Sequence, residues 1–169
     1  MTAEIGHFAL ILALMVAAVQ SIVPLVGAHR GRSEWMAVAR PAALMQFAMV
    51  AISFGCLTQL YLSSDFSVLN VVQNSHTAKP LIYKIAGVWA NHEGSLLLWV
   101  LILALFGSAV AAFGANLPPA LKARVLSVQA MIAVGFYLFM LLTSNPFEGV
   151  AVPPINGQDL NPLLQDPGL

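Results

Sequence analysis

Two adjacent ionisable side chains, His92 and Glu93, stand at the start of a strongly apolar stretch, GVWANHEGSLLLWVL, which covers residues 87–101. An imidazole held against an apolar surface is biased towards its neutral form, which leaves a ring nitrogen free to accept a hydrogen bond or to bind a metal. Glu93 could orient a partner. We therefore take Trp89, His92 and Glu93 as candidates for gripping a cofactor or a partner. The competing interpretation is that His92 and Glu93 only hydrogen-bond the backbone where one helix ends and the next begins.

The rest of the sequence lacks the common catalytic and metal-binding motifs. The HEG at residues 92–94 has no second histidine to complete H-E-x-x-H, and there is no nucleophile elbow or pair of carboxylates at useful spacing. Cys56 is the only cysteine, which excludes a disulfide framework and a C-x-x-C-H motif for haem attachment. We predict no catalytic residue and no metal site, although a haem site that pairs His76 with His92 stays open.

The composition is that of a membrane protein. Hydrophobic residues make up 59% of the 169 residues, charged residues make up 8%, and the mean hydropathy is +0.84. A soluble domain carries about 25% charged residues. The formal net charge is 0, and no cluster of Lys and Arg is present that would grip phosphates. These features exclude a nucleic acid as a partner and predict contact with membrane lipid.

Four apolar runs are long enough to cross a bilayer. A helix rises about 1.5 Å per residue and needs about 20 apolar residues to cross about 30 Å of hydrocarbon. Each run is free of Asp, Glu, Lys and Arg, and in lipid each must satisfy its own backbone as a helix. The runs are residues 5–27, 41–62, 95–115 and 125–143. We predict an all-α polytopic membrane protein with a transmembrane helical domain over residues 1–143.

Basic residues predict the orientation of these spans. Three arginines lie between the first and second spans, and Lys122 with Arg124 lies between the third and fourth. Only Lys79 and Lys84 lie on the opposite side. By the positive-inside rule the two basic loops are cytoplasmic. The N-terminus, the loop 63–94 and the C-terminal tail are therefore predicted to face outward.

Polar groups at membrane depth are few, and we interpret them as interhelical hydrogen-bond donors. They are Gln20, Gln46, Gln59 and Gln129. A ligand path lined by these amides is the alternative.

The outward loop 63–94 contains a second kind of helix. Residues 65–73, DFSVLNVVQ, have no clear period and are left unassigned. From Pro80 onward the apolar residues 81, 82, 85, 88 and 89 fall within one arc of a helical wheel. This predicts an interfacial amphipathic helix with Trp89 at the level of the lipid headgroups. If that helix continues by one turn, the His92 side chain points inward and the Glu93 side chain lies nearer the solvent. Gly94 and Ser95 are then expected to break the helix, with Ser95 as the N-cap of the third span.

Residues 144–169 are predicted to form a proline-rich extracytoplasmic tail. Asn145 followed by proline stops the fourth helix. The apolar side chains of Leu160, Leu163 and Leu164 indicate that the tail lies on another surface. Because the chain ends at Leu169 without a charged terminus, we expect the tail to be interrupted rather than finished.

Several stretches resemble one known family closely. They are EIGHFAL near the N-terminus, GVWANHEGSLLLWVLILALFG, LLTSNPF and GQDLNPLLQDPGL. Together they resemble the start of the CcmF family, the membrane subunit of the bacterial cytochrome c haem lyase. The resemblance covers essentially the whole chain in order.

The resemblance implies a component of the haem lyase in the bacterial inner membrane, with haem b as cofactor and work on the periplasmic side. In that family, haem arrives on a haem chaperone and is attached to the C-x-x-C-H cysteines of an apocytochrome c, beside a CcmH-type thiol-handling subunit. The family's haem-ligating histidines and its tryptophan-rich motif fall beyond Leu169. The resemblance therefore implies the N-terminal part of a longer or split lyase, without haem ligands of its own, and leaves open whether this part is an enzyme.

A cofactor-free membrane anchor or transport subunit is the alternative function. Transporters place ionisable groups within their spans. The four apolar runs contain no Asp, Glu, Lys or Arg, which argues against transport but not against anchoring.

Overall fold

The computed structural model describes residues 1–158, and over these residues the chain is all-α. The helices are α1 (Thr2–Arg30), α2 (Ser33–Ala37), α3 (Ala39–Ser63), α4 (Leu69–Asn74), α5 (Leu81–Gly87), α6 (His92–Phe113) and α7 (Pro119–Thr143). Extended pairing in this part of the chain is limited to an isolated antiparallel bridge between Val68 and Gly149.

Four of the helices are long and apolar enough to cross a membrane, as the sequence predicts. They are α1, α2 continued into α3, α6 and α7. The observed helices extend past several predicted span ends, because a helix does not stop where hydrophobicity stops. Thus α7 begins at Pro119, and its first two turns carry Lys122 and Arg124. The predicted fold class is confirmed.

The helices pack through small residues and through a few buried amides. Helix α1 packs against α3 and α7, and α3 packs against α6. Three of the four glutamines bridge two helices as predicted: Gln20 donates to the Leu126 carbonyl, Gln46 to the Tyr137 hydroxyl and Gln129 to the Leu103 carbonyl. Gln59 is instead exposed. The amides therefore hold α7 to each of the other three long helices.

The outer surface of the bundle is apolar. Along α1 the side chains of Phe8, Met15 and Ile22 are each at least 60% exposed, and Trp99 and Phe106 on α6 are similarly exposed. A soluble protein rarely leaves so large an apolar surface in water, whereas lipid tails solvate it. The chain is a multi-pass membrane protein.

The two ends of the bundle differ. We call the end covered by residues 64–91 and 144–158 the loop end, and the end that carries Arg30, Arg32, Arg40, Lys122 and Arg124 the basic end. At the loop end, the tail pairs with the loop through three backbone bonds: Leu69 N to Glu148 O at 2.8 Å, Val150 N to Ser67 O at 2.9 Å, and Gln158 N to Val72 O at 2.6 Å. The stretch left unassigned from sequence, residues 65–73, contains all of α4 except its last residue, Asn74.

Part of the predicted tail lies outside the described residues. Residues 159–169 include Leu160, Leu163 and Leu164, which were expected to rest on a surface, and the stretch DLNPLLQDPGL. Within the described part, Phe147 is buried in the main apolar core together with Val68 and Val71 of the loop. Phe147 therefore anchors the tail to the loop end, whereas residues 151–155 are exposed.

Candidate functional site

The chain turns sharply between α5 and α6, and Asn91 makes that turn. Asn91 is the N-cap of α6, and its side-chain oxygen accepts a hydrogen bond from the Gly94 amide at 2.7 Å. The break in the helix therefore falls at residues 88–91, before His92. The prediction that Gly94 and Ser95 break the helix, with Ser95 as the cap, is wrong: the Ser95 hydroxyl donates to the His92 carbonyl at 2.9 Å instead.

The earlier break reverses the predicted directions of His92 and Glu93. Because α6 starts a new helix at His92, its residues do not continue the wheel of α5. The His92 side chain is exposed and lies edge-on to Phe139 of α7, with ring centroids 6.1 Å apart. Glu93 is half-buried and accepts a hydrogen bond from the Asn70 amide at 3.2 Å. The expectation of an inward histidine and a solvent-side glutamate is wrong.

A polar network behind the turn holds it in place. The Tyr61 hydroxyl donates to the Asn70 side-chain oxygen at 2.5 Å, and the Asn70 amide donates to Asn91 at 2.9 Å and to Glu93. The Asn91 amide donates in turn to the Tyr61 hydroxyl at 3.0 Å and to the Gly87 carbonyl at 2.9 Å. Buried polar groups are costly unless they are paired. The network therefore fixes α3, α4 and the start of α6 in one arrangement.

The turn also depends on close backbone approach at Gly94. A β-carbon at this position would overlap the carbonyl oxygen of Val88, a backbone atom that cannot rotate away. Val88 itself is fully buried. A side chain at residue 94 would thus push α5 away from α6, which explains why the capping Asn91 is followed three residues later by glycine.

Trp89 lies on the outer side of the turn and is 43% exposed. It extends the apolar surface of α5, where Leu81, Ile82 and Tyr83 are each more than half exposed. On the other side of α5, the Lys84 ammonium donates to the Ser64 hydroxyl at 2.7 Å. The helix predicted from Pro80 is therefore present and ends at Gly87. Its predicted apolar arc is exposed at Leu81, Ile82 and Ile85, but Val88 of that arc is fully buried.

An open apolar groove runs along the α6–α7 surface below His92. Its volume is about 330 Å³, and its lining residues are Leu96, Ile132, Gly135, Phe136 and Phe139. Because Phe139 both lines the groove and contacts the His92 ring, the imidazole stands at the head of the groove. His92 and Trp89 thus belong to an exposed surface, and Glu93 belongs to the network behind it.

A larger cavity opens at the loop end beside the start of α1. Its volume is about 560 Å³, and Glu4, His7, Phe8, Asn145 and Glu148 are among its lining residues. His7 Nδ1 lies 3.3 Å from the Asn145 side-chain oxygen, and its ring meets Phe147 edge-on. The sequence had indicated no role for His7. A histidine near the N-terminus and a tail residue on either side of one cavity are too far apart in sequence for their pairing to be predicted.

The described residues form no metal cluster, and the haem site that pairs His76 with His92 stays a prediction. No group of three or more His, Cys, Asp and Glu side chains in residues 1–158 is arranged to hold a metal ion. His76 accepts a hydrogen bond from the Ala78 amide in its own turn at 3.1 Å. Between Glu93 and Glu148 there is only a polar cavity of about 40 Å³, large enough for about one or two waters.

Tyr61, Asn70 and Asn91 are site residues that sequence reasoning missed. A local signal existed for Asn91, because an asparagine directly before a helical run with an acid in its first turn is a strong N-cap pattern. Asn70 lies 21 residues before Asn91, and their contact depends on the packing of α4. No spacing rule predicts such a contact.

Comparison with known proteins finds a family model and relatives that are named for cytochrome c assembly or biogenesis. The family model described as "Cytochrome C assembly protein" matches residues 89–169, a range that begins at the Trp89 turn. A "Cytochrome c-type biogenesis protein ccl1" from Rhodobacter capsulatus is 63% identical over all of this chain and 26% of the relative. A "Cytochrome c-type biogenesis protein CcmF" from Escherichia coli is 47% identical over all of this chain and 26% of the relative.

A solved structure agrees with these relatives. The chain titled "Cytochrome c Heme Lyase CcmF" superimposes with a TM-score of 0.80 at 28% identity, covering 88% of this chain and 25% of that one. The present chain thus spans about a quarter of the length of the curated relatives that it matches. The resemblance found from the sequence is confirmed.

Proposed function

We propose that the chain belongs to the CcmF family, whose members it matches over about a quarter of their length, and that it is the N-terminal part of a component of the cytochrome c haem lyase. In this proposal it handles haem, with haem b as the cofactor, for covalent attachment to apocytochrome c. The observation that carries the proposal is the whole-chain match to cytochrome c biogenesis proteins, at 63% identity for one of them. The four long helices form the scaffold. The Trp89–His92 turn at the loop end, together with the α6–α7 groove below it, forms the working surface.

The working surface is proposed to contact haem or the protein that carries it. An apolar groove with aromatic walls and one imidazole at its head suits one face of a porphyrin. The groove is open, so it fits contact with that one face rather than a complete axial site. The family resemblance implies that axial ligands of the haem lie outside these 169 residues. Within it, Trp89 and His92 would make the contact, and Glu93 would position them through Asn70.

The partners proposed for the loop end are a haem chaperone, a CcmH-type thiol-handling subunit and apocytochrome c. In this proposal all three would meet the lyase on the periplasmic side of the membrane. The chain would then lie in the bacterial inner membrane with its N-terminus, loop 63–94 and tail in the periplasm. The five basic residues of the basic end support this orientation, because Lys and Arg are retained on the cytoplasmic side.

Deletion of the gene tests the assignment. Cells without it should lose haem-stained c-type cytochromes on denaturing gels, because the stain survives only where haem is covalently attached. Cytochromes with non-covalent haem should be unchanged, and the wild-type gene should restore the stain. If covalent haem persists in the deletion strain, the chain serves another purpose, and the cofactor-free membrane anchor becomes the better account.

A further inference from the structure

The basic end carries a cleft that the haem lyase assignment does not use. Its volume is about 540 Å³, and it lies between the end of α1 and the start of α7. Leu25 and Val26 form its apolar wall, and His29, Arg30 and Arg124 form its rim. The cleft therefore combines an apolar surface with two permanent positive charges.

The two rim arginines have no anionic partner in residues 1–158. The ion pair found in this part of the chain joins the Met1 amino group to Glu4 at the opposite end of the bundle. By contrast, the nearby Arg32 guanidinium stacks over Trp35 at 5.0 Å from the ring centroid. The guanidinium donors of Arg30 and Arg124, both of which line the cleft, are thus available to an anion bound there.

Arg124 stands where an unpaired charge is costly. Its neighbours Leu121, Val125 and Val128 are each between 44% and 52% exposed and lie on the lipid-facing surface of α7. A guanidinium at the edge of hydrocarbon needs an anion or must extend to the interface. A phosphate at headgroup level supplies that anion with bidentate geometry.

Two buried hydrogen bonds between α1 and α7 fix the helix spacing next to the cleft. The Gln20 amide donates to the Leu126 carbonyl at 3.0 Å, and the Ser127 hydroxyl donates to the Gln20 carbonyl at 3.1 Å. These residues are fully buried. Helices α1 and α7 therefore keep a fixed spacing directly beneath the cleft, which makes it a preformed site.

We propose that this cleft binds the phosphate group of an anionic phospholipid. Arg30 and Arg124 would pair with the phosphate, His29 would donate a hydrogen bond to it, and Leu25 with Val26 would pack against an acyl chain. Basic pockets between membrane helices on the cytoplasmic side are suited to such headgroups. The proposal does not rest on the haem lyase assignment.

Lipid titration followed by native mass spectrometry tests the proposal on the complete purified protein. Phosphatidylglycerol is added to delipidated protein, and phosphatidylcholine is the zwitterionic comparison. The R30Q/R124Q variant should bind the first phosphatidylglycerol at least tenfold more weakly than wild type. The matched control is R40Q/K122Q, which removes the same charge from the same end but outside the cleft, and it should change this affinity less than twofold.

Three outcomes would overturn the proposal. Equal losses in the two double variants would mean a general surface charge effect. Equal binding of phosphatidylcholine would mean that the cleft does not distinguish an anionic headgroup from a zwitterionic one. Displacement of the lipid by millimolar inorganic phosphate would mean a free-anion site. If R30Q/R124Q is not recovered folded, the affinity for phosphatidylglycerol is measured with R30Q alone, because Arg30 is exposed in the last turn of α1.

Discussion

The loop end and the basic end of this bundle differ in how their polar residues are used. At the loop end, neutral side chains such as Asn70, Asn91 and Tyr61 bond to one another and to backbone groups behind an exposed aromatic surface. At the basic end, charged side chains are exposed, and the connections between helices are short. A network of paired buried groups fixes a surface in one shape, whereas exposed charges mainly orient the chain in the membrane. The difference is consistent with the proposal that the loop end forms part of the working surface.

The largest loss of stability at the loop end is expected for Gly94→Ala. The new β-carbon would overlap the Val88 carbonyl oxygen, so the turn between α5 and α6 must open. We expect a loss of about 3 kcal/mol or more in the free energy of unfolding, seen as a large fall in the thermal midpoint in detergent. Gly55→Ala is the control, because a β-carbon there meets nothing within 4 Å. Equal midpoints for the two variants would contradict the close approach at Gly94.

Removal of the cap should have the next largest effect. Asn91→Ala loses the acceptor for the Gly94 amide, removes the donor to the Gly87 carbonyl and leaves Glu93 as the remaining acceptor for the Asn70 amide. A cost of about 2–3 kcal/mol is expected, from the lost cap and the unpaired groups together. Asn91→Asp keeps the acceptor but loses the donor, so its thermal midpoint should fall between wild type and the alanine variant. A midpoint for Asn91→Asp below that of Asn91→Ala would argue against the capping role.

Two tyrosine-to-phenylalanine variants compare the loss of a buried hydroxyl at the loop end with the same loss in the bundle interior. Tyr61→Phe removes a hydroxyl that both donates to Asn70 and accepts from Asn91, whereas Tyr137→Phe removes the acceptor for Gln46 in the interior. Each should cost about 1–2 kcal/mol. Hydrogen exchange should rise in residues 64–91 for Tyr61→Phe only. Equal exchange in that loop for both variants would mean that the network does not act locally.

The smallest effect is expected at the basic end. Arg40→Gln removes an exposed charge with no hydrogen bond or ion pair in the described part of the chain, so its effect on stability should stay within about 0.5 kcal/mol. Thermal unfolding in detergent measures it. A fall as large as that for Asn91→Ala would show that the two ends depend on their polar residues alike.

Sidedness can be tested with single cysteines in a Cys56→Ala background. Ala78→Cys marks the loop end and Ala115→Cys marks the basic end, and both native alanines are exposed. In intact spheroplasts, a membrane-impermeant thiol reagent should label residue 78 and reach residue 115 only after lysis. The reverse pattern would place the proposed working surface in the cytoplasm.

The sequence predicts the spans well and the turn poorly, for a physical reason. Spans such as residues 5–27 are specified by hydrophobicity over about 20 residues, a signal that a single residue cannot cancel. The directions of His92 and Glu93 depend on the phase of a helix. One capping side chain, Asn91, resets that phase by ending α5 and starting α6. A helical wheel drawn through such a cap places every later residue on the wrong face.

The buried contacts of the site show the same limit. That Gln20 and Gln46 would bridge helices follows from the cost of an unpaired amide in lipid, which is a local argument. That Asn70 would meet Asn91 and Glu93 follows only from how α4 packs across the bundle. Local chemistry predicts that a buried polar group finds a partner, and the fold decides which partner it is.

The most direct test of the account is cytochrome c maturation in cells that carry Trp89→Ala with His92→Ala. Covalent haem on c-type cytochromes is measured per unit of folded protein in the membrane, and Trp99→Ala, which changes an exposed tryptophan in the apolar part of α6, is the control. The account predicts at least a tenfold loss of covalent haem for the double variant, an unchanged thermal midpoint, and near wild-type maturation for the control. Wild-type maturation in the double variant would show that the exposed surface at the turn is not the working surface.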